Sequence, residues 1–452
     1  MGVHSLCRTA GTVSVCLAFA SGCAPSSRQA ADTASPRPPA QAACAMDRSK
    51  LLIGAYYLDG AVQDDRHVQE VADAGIDFLV AVDAKKELLD LCAKHRLGAI
   101  TSSAIPMWWG DDGKRAGLYR ETLPLEKLDA LRPTYPFHPA LWGDYPVDEP
   151  NAKDFAHINA VIHRYRELFP GQLAYVNLYP IYANTAPQGV SPELQKVPSQ
   201  LGTTTYQEHI DQYVQAVDTD YICFDSYPFT GPFATYVENL DIVGTACRKS
   251  KRDLWVIIQT GAWKPDAVLG EYQIRWQSYL CLAFGAKIVM HASYSPGWWN
   301  ETTSCINKAG EKNATYDYVK RIDAELHALS DVFMRYDNIG VYPCGEVSRA
   351  DARMLKQLES LAARSGPPQD RRVRKLLDGL SADGALVAGC FQRKDGRGRA
   401  VLLVNAQNPW SATADVKVRL KGSGQAYIGG KKTPLAPALK LASGEGVFVV
   451  LD

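Results

Sequence analysis

The stretch ALWGDYPVDEP at residues 140–150 joins a short apolar segment to two adjacent carboxylates, Asp148 and Glu149, which Pro150 follows. Because proline disfavours helical geometry in the residue before it, Glu149 is predicted to be extended at the end of a strand, with its side chain at a rim. A carboxylate at a rim is a candidate for acid–base chemistry. Taken alone, the stretch is explained equally well by a strand and a turn that carries two solvated acids. The surrounding sequence must therefore decide between the two interpretations.

Apolar segments alternate with amphipathic segments on both sides of this stretch. Eight strands are predicted, at Leu51–Tyr57, Phe78–Val82, Gly98–Ser102, Leu141–Val147, Leu173–Leu178, Tyr221–Phe224, Leu254–Ile258 and Lys287–His291. Helices are predicted between them, for example at Asp64–Ala74, Lys85–His95, Asp154–Leu168, Tyr206–Ala216, Phe233–Lys249 and Glu271–Phe284. This alternation predicts parallel strands covered by helices, and eight such units predict an α/β fold, a (β/α)8 TIM barrel over residues 47–337. A doubly wound open sheet is the alternative, but the Gly-rich phosphate loop that it expects after the first strand is replaced by Tyr56-Tyr57-Leu58-Asp59-Gly60.

The pattern changes beyond residue 338, where short strands are joined by Gly, Asn and Asp turns. Strands are predicted at Ala385–Gln392, Arg399–Asn405, Thr413–Leu420, Gln425–Ile428 and Gly446–Leu451, with one helix at Ala350–Arg364. These features predict a small antiparallel β-sandwich over residues 338–452. Because this region contains no cluster of catalytic residue types, we expect it to support the barrel.

The N-terminal residues have the pattern of an export signal over residues 1–23. Arg8 precedes the apolar run Thr12–Ala20, and Ala20-Ser21-Gly22-Cys23 resembles a bacterial lipobox, although Ala20 stands where that pattern prefers Leu. We therefore expect a cell-envelope lipoprotein, periplasmic or surface-exposed, with a lipid on Cys23; a plain secretory signal and a secreted protein are the alternative. Residues 24–46 have the composition of a flexible tether. No later segment is long and apolar enough to span a bilayer, so membrane contact is expected only through the lipid.

Composition and charge exclude several classes of partner. The 452 residues are 46% hydrophobic and 22% charged, and 49 Lys plus Arg balance 49 Asp plus Glu. No net positive field favours nucleic acid, so no nucleic-acid partner is expected. The cysteines beyond the signal show neither a CxxC pair nor zinc-type spacing, and no metal or other cofactor is predicted. Cys223 and Cys390 lie within apolar strand patterns and are predicted to be buried thiols.

The residues that follow each strand are the candidates for a functional site, because the βα loops of such a barrel converge on one mouth. These residues are rich in carboxylates, amides and aromatic rings, a combination that suits a sugar, whose C–H faces stack on rings while its hydroxyls need directional partners. A carbohydrate substrate is therefore expected. His291 is explained at least as well by a buried, hydrogen-bonded histidine, and each aromatic residue considered alone by core packing. The candidates for substrate binding are Tyr56, Asp83, Trp108, Trp109, Asp148, Asn177, Tyr227, Gln259, His291, Tyr294, Trp298 and Trp299.

Several of these motifs together resemble those of a known enzyme clan. The motifs are Asp-Glu-Pro after the fourth strand, Phe224-Asp225-Ser226-Tyr227-Pro228-Phe229 at the sixth, Arg275-Trp276-Gln277, and Trp298-Trp299 after the eighth. The chain from residue 51 to 335 resembles the large clan of (β/α)8 glycoside hydrolases, and most closely a bacterial subset with Asp-Glu-Pro in this place. The resemblance implies a glycosidase in which Glu149 is the general acid/base. The second carboxylate of the clan is a glutamate at the end of the seventh strand, where this chain has Gln259.

Three interpretations of the second carboxylate remain open. Asp225 could serve as nucleophile or base, and it is preferred because it lies at a strand end of the same rim, with Tyr227 as a potential hydrogen-bond donor. Asp148 or Asp83 could instead activate water or orient the sugar. Because an amide cannot be a nucleophile, Gln259 also allows a catalytically silent barrel that acts as a surface glycan-binding protein. A hydrolase of esters or amides would need a nucleophile or metal motif that the sequence lacks.

Overall fold

The computed structural model describes residues 46–186 and 197–452 of the chain. The predicted export signal with Cys23, and the predicted tether up to residue 45, lie outside the described residues. Within the described part of the chain, no helix has the length and apolar character needed to cross a membrane.

Eight parallel strands form one curled sheet in the first part of the molecule. Along the sheet they lie in the order β6 (Leu173–Asn177), β5 (Leu141–Asp148), β3 (Gly98–Thr101), β2 (Phe78–Val82), β1 (Leu52–Tyr56), β9 (Ala286–Ala292), β8 (Asp253–Gln259) and β7 (Tyr221–Ser226). A ninth short strand, β4 (Trp108–Trp109), pairs with the end of β5. The eight strands predicted from apolar segments are thus confirmed, and β4 is the addition.

The two outer strands of this order, β6 and β7, approach each other. Leu178 and Phe224 form a parallel bridge, and the Leu178 N–H donates to the carbonyl oxygen of Cys223 at 2.9 Å. Side chains from all eight strands meet in one buried cluster on the inner side of the sheet. Within it the rings of Tyr221 and Trp255 stack with centres 3.8 Å apart. The arrangement fits an α/β barrel with an aromatic interior.

Helices follow the strands and cover the outer side of the sheet. They are α1 (Asp65–Asp73), α2 (Lys86–Lys94), α3 (Tyr119–Thr122), α4 (Leu125–Leu131), α5 (Phe155–Leu168), α6 (Tyr206–Ala216), α7 (Tyr236–Ser250), α8 (Glu271–Ala283) and α9 (Ala314–Phe333). Local sequence explains several of their ends. Asp64 accepts a hydrogen bond from the His67 N–H at the start of α1, and Thr205 and Glu208 form a capping box at the start of α6.

The described chain enters at the N-terminal ends of the strands. Arg48 donates hydrogen bonds to Asp220, just before β7, and to Asp253, the first residue of β8. Its guanidinium lies 5.5 Å from the centre of the Trp255 ring, and Met46 packs against the inner cluster. These contacts fix the start of the described chain at this face of the sheet.

The C-terminal region contains two antiparallel sheets. The six-stranded sheet has the order β10 (Tyr336–Gly345), β12 (Ala385–Arg393), β13 (Arg399–Asn405), β18 (Gly446–Leu451), β15 (Gly424–Ile428) and β16 (Lys431–Pro434). The three-stranded sheet has the order β11 (Leu380–Ala382), β14 (Val416–Leu420) and β17 (Leu439–Leu441), and helices α10 (Ala352–Ser365) and α11 (Arg371–Asp378) precede β11. In β14, Val416, Val418 and Leu420 are buried while the residues between them are exposed, as expected for one covered face. The two sheets fit the predicted β-sandwich.

The sandwich and the parallel sheet share one hydrophobic core. Phe333 at the end of α9 packs against Phe391 of β12 and Phe448 of β18, with ring centres 5.4 and 5.6 Å away. All three side chains are fully buried and belong to the same cluster as the helices that cover the parallel sheet. The C-terminal region therefore packs directly on the first part of the molecule.

Candidate active site

Asp148 and Glu149 lie where β5 ends, at the carboxyl end of the parallel sheet. Asp148 is the last residue of the strand, and Glu149 follows it with φ of 46°, in the left-handed region. The prediction that Pro150 makes Glu149 extended is therefore wrong. The Glu149 N–H donates to the Asn177 carbonyl oxygen at 2.9 Å, which ties the turn to the end of β6. A non-glycine residue in this region is strained, and such strain is found preferentially at functional sites.

Asn177 joins two carboxylates that come from different strands. It is paired in register with Asp148, and its amide nitrogen donates to Asp148 Oδ1 at 3.2 Å and to Asp225 Oδ1 of β7 at 2.9 Å. Since the amide nitrogen has only two hydrogens, both are used in holding these acids. The structure thus brings Asp148 and Asp225 together with an asparagine between them.

All three carboxyl groups have raised pKa values. Burial raises the pKa of Glu149 well above its ordinary range, and the nearby charges of Asp225 and Asp148 raise it further. Burial raises the pKa of Asp225 to about 7, against the opposing hydrogen bond from Asn177. Burial also raises the pKa of Asp148, against hydrogen bonds from Tyr145 and Asn177. A carboxylic acid that stays protonated near neutral pH beside one that ionises is the pairing that acid–base catalysis requires.

Aromatic side chains form the walls of a cleft of about 450 Å³ around these acids. The register of β4 places Trp109 beside Asp148, and hydrogen bonding with the Trp109 side chain opposes the rise in the pKa of Glu149. Trp298 packs edge-on against Tyr57, with ring centres 5.5 Å apart, and lies 6.2 Å from the ring of Tyr227. Trp109 and Trp298 remain 40% and 38% exposed, so part of each ring can contact a ligand.

Eight residues proposed from the sequence line this cleft. They are Tyr56, Trp109, Asp148, Glu149, Asn177, Asp225, Tyr227 and Trp298. Six further lining residues were not among the candidates, namely Tyr57, Ala81, Met107, Tyr145, Ile257 and Trp263. Tyr57 ends the first predicted strand, and Met107 and Trp263 follow the third and the seventh, so their position along the chain was already a signal.

Tyr145 has no such signal, because a strand irregularity places it. The pairing of β5 with β6 shifts register between Asp144 and Val147. Tyr145 consequently lines the cleft and donates a hydrogen bond to Asp148. Asp144 instead accepts hydrogen bonds from Tyr135, at 2.6 Å, and from Tyr165 of α5, at 2.8 Å. In strict alternation the side chains of Asp144 and Asp148 would lie on the same face of the sheet. Because of the irregularity, Asp148 lines the cleft whereas Asp144 is hydrogen-bonded outside it.

Gln259 lies at the end of β8 but is fully buried and does not line the cleft. Its side-chain oxygen accepts from the Phe229 N–H at 2.9 Å, and its side-chain nitrogen donates to the Gly261 carbonyl at 2.8 Å. Gln277 of α8 binds the backbone N–H and carbonyl of Gln259, both at 2.9 Å. The Gln259 amide thus joins the loops after β7 and β8.

The structure does not bring the remaining five candidates to the cleft. His291 is fully buried and its Nε2 lies 2.9 Å from Asp323 of α9, as in the alternative interpretation of a buried histidine. Tyr294 and Trp108 are buried, and Asp83 forms an ion pair of 2.8 Å with Lys85. Trp299 is buried behind the wall, where its indole donates to the Ala292 carbonyl and its ring packs against Trp298.

The described residues offer no alternative centre based on a metal. No group of three or more His, Cys, Asp or Glu side chains in this part of the chain is arranged to hold a metal ion. Seven cysteines of the described residues are free thiols, and Cys223 and Cys390 are buried among them, as predicted.

Comparison with solved structures shows what fold this is. The structure of a β-galactosidase from Bacillus circulans sp. alkalophilus covers 89% of this chain and 99% of its own, with a TM-score of 0.51 and 9% identity. The fold resembles that of a glycoside hydrolase. A glycoside hydrolase family 5 mannosidase from Rhizomucor miehei covers 60% of this chain and 92% of its own, with a TM-score of 0.40 and 10% identity. A GH2 β-galacturonidase from Eisenbergiella tayi covers 60% and 50%, with a TM-score of 0.41 and 11% identity.

The sequence itself gives no further assignment. No family model matches it, and comparison with curated proteins finds no match. The similarity is therefore one of fold. A similar fold does not define the chemistry, which depends on the residues of the cleft.

Proposed function

We propose that the protein is a glycoside hydrolase that cleaves a poly- or oligosaccharide, with Glu149 as general acid/base in a (β/α)8 barrel closed between β6 and β7. The observation that carries the proposal is the position of Glu149, which shares with two further acids an aromatic-walled cleft at the carboxyl ends of the strands. Burial and the two neighbouring carboxyls favour its protonated form, which is the form that donates a proton to a leaving glycosidic oxygen.

Asp225 is the second carboxylate of the proposed reaction. As the glycosidic C–O bond breaks, Glu149 gives its proton to the departing oxygen. The ionised Asp225 either attacks the anomeric carbon, which produces a covalent intermediate, or takes a proton from an attacking water. Asn177 binds Asp225 in either case and favours its ionised form by donating to it. Asp148 raises the pKa of both partners through its like charge.

The test compares the wild type with Glu149→Gln on aryl glycosides and on a panel of polysaccharides. Removing the acid should lower kcat/KM by about 10²- to 10⁴-fold, with a smaller loss for aryl leaving groups that depart without protonation. The wild type should lose activity as pH rises through the pKa of Glu149, and the variant should lack this alkaline limb. Glu87→Gln is the matched control, because Glu87 is an exposed acid of α2. Equal activity of wild type and Glu149→Gln rejects the assignment.

A glycan-binding protein without activity is the second candidate, and a specific observation favours it. The end of β8 carries the buried amide of Gln259 in place of an acid, so that one strand end supplies no catalytic group. Saturable binding of a glycan by the wild type, with no reducing ends released from any member of the panel, would favour this candidate.

A further inference from the structure

The cleft contains acidic side chains and, among the residues that the structure describes, no basic ones. The fourteen described residues that line it include Asp148, Glu149 and Asp225 but no lysine, arginine or histidine. Asp112, on the loop after β4, adds a fourth acid close enough to raise the pKa of Glu149. A uronate or sulfate group would therefore enter a site that repels it, while a cation would supply the missing countercharge.

Several hydrogen-bond donors around these acids are already used. Tyr145 donates to Asp148, and both amide hydrogens of Asn177 go to Asp148 and Asp225. Hydrogen bonds from Tyr227 favour the ionised form of Asp225 in the same way. The remaining lone pairs of the carboxyl oxygens can still accept hydrogen bonds from a ligand. A ligand group rich in donors and poor in acceptors matches such a surface.

The side-chain oxygen of Asn177 is an acceptor to which no described group donates. The Asn177 side chain is 3% exposed and lines the cleft, and its Oδ1 is buried with no hydrogen-bond partner. The amide nitrogen faces two carboxyl oxygens, as expected for the donor end of the amide. A buried acceptor without a partner is costly, so a donor from the ligand would relieve that cost.

The aromatic wall fits the same ligand group. Trp109 and Trp298 are partly exposed on the cleft, and Tyr57 and Tyr227 lie against Trp298. Ring faces attract an ammonium group through their quadrupole as well as the C–H face of a sugar. An ammonium group has three donors, no acceptor and a positive charge.

We infer that the cleft recognises a sugar that carries a protonated amino group, a hexosamine unit with a free amine, and that it discriminates against uronate and sulfated sugars. This inference rests on the proposed function in taking the cleft as the saccharide site. It adds the substrate class, which neither the fold nor the acid/base pair defines.

Binding is tested by titration calorimetry with the wild type and with Glu149→Gln, which separates binding from hydrolysis. The probes are hexamers of β-1,4-linked glucosamine and of α-1,4-linked galactosamine, their fully N-acetylated forms, and a galacturonate hexamer. We expect at least one deacetylated hexamer to bind about tenfold or more tighter than its acetylated form, and the galacturonate hexamer to bind most weakly. The preference should shrink with added salt and in Asp148→Asn, but not in Asp83→Asn, whose acid lies outside the cleft.

Proton exchange gives a second, independent measurement. At about pH 5 the amines of the ligand are already protonated and a bound cation favours ionised carboxylates, so binding of the deacetylated hexamer should release protons, seen as a buffer-dependent heat. The inference is overturned if acetylated or anionic hexamers bind as tightly, if neither deacetylated hexamer binds, or if the preference is unchanged in Asp148→Asn. Neutral substrates cleaved in a Glu149-dependent way, without any amine preference, would reject this inference alone. Hexosamine binding by an enzyme whose activity ignores Glu149 would reject the proposed function alone.

Discussion

Asp225 is a buried acid whose raised pKa makes it a source of instability at neutral pH. An ordinary Asp titrates near 3.9, so a folded-state pKa of about 7 means that the folded protein binds this proton more tightly than the unfolded chain does. The free energy of unfolding therefore falls as pH rises between these two values, and the full cost is present above pH 7. Asp225→Asn removes the charge and keeps the shape.

We expect Asp225→Asn to be more stable than the wild type at pH 8 by roughly 1–3 kcal/mol, and nearly equal to it at pH 4, while activity is lost. Urea denaturation at the two pH values measures the difference. Asp83→Asn is the control and should change stability by less than about 0.5 kcal/mol at either pH. A destabilised Asp225→Asn at pH 8 would contradict the argument.

At the scale of single residues, the sequence located the acids but not their conformations. Asp148, Glu149 and Asp225 could be predicted at one rim because each follows or ends an apolar segment, and the structure places all three in one cleft. The left-handed backbone of Glu149 could not be predicted, since Pro150 biases its neighbour the other way and the hydrogen bond to Asn177 is a long-range contact. Tyr145 was missed for a similar reason, because the register shift in β5 depends on its pairing with β6.

At the scale of elements, helix α8 holds the end of β8 through one side chain. Gln277 is fully buried and satisfies both the N–H and the carbonyl of Gln259. Gln277→Ala leaves two buried backbone groups without partners, so we expect a loss of roughly 2–4 kcal/mol in the free energy of unfolding. Chemical denaturation measures it, with the exposed Gln69→Ala of α1 as the control. A loss of stability as small as that of Gln69→Ala would show that water hydrogen-bonds the Gln259 backbone in place of the Gln277 amide.

The elements that were predicted differ physically from those that were not. Strands such as β2 and helices such as α6 have buried faces long enough to show in the sequence, and the structure has both with the predicted bounds. Strand β4 has only two residues, and it exists because Trp108 and Trp109 pair with Val147 and Asp148. Gln259 ends its predicted strand, but its bonds to the loop after β7 come from tertiary contacts.

At the scale of the whole molecule, the shared core makes the sandwich part of the folding unit. Phe448 is fully buried against Phe333 of α9 and Phe391 of β12. Phe448→Ala should lower the free energy of unfolding by about 3–5 kcal/mol. We also expect tryptophan fluorescence and far-UV circular dichroism to report one transition, shifted as a whole. A transition that remains at the wild-type midpoint in one of the two signals would contradict a shared core.

The order of the elements explains why the overall architecture could be predicted. Alternating strands and helices leave few arrangements other than a parallel sheet covered by helices, and a change to short alternating strands indicates a second architecture. The packing of Phe333 on the sandwich could not be predicted, because the contact joins α9 to β12 and β18 across long sequence separations.

The contacts of Arg48 with Asp220 and Asp253 define the end of the parallel sheet at which the described chain begins. They fix the start of the described chain at the amino ends of the strands, whereas the cleft lies at the carboxyl ends. The mouth of the cleft therefore lies on the side of the sheet opposite the first described residue.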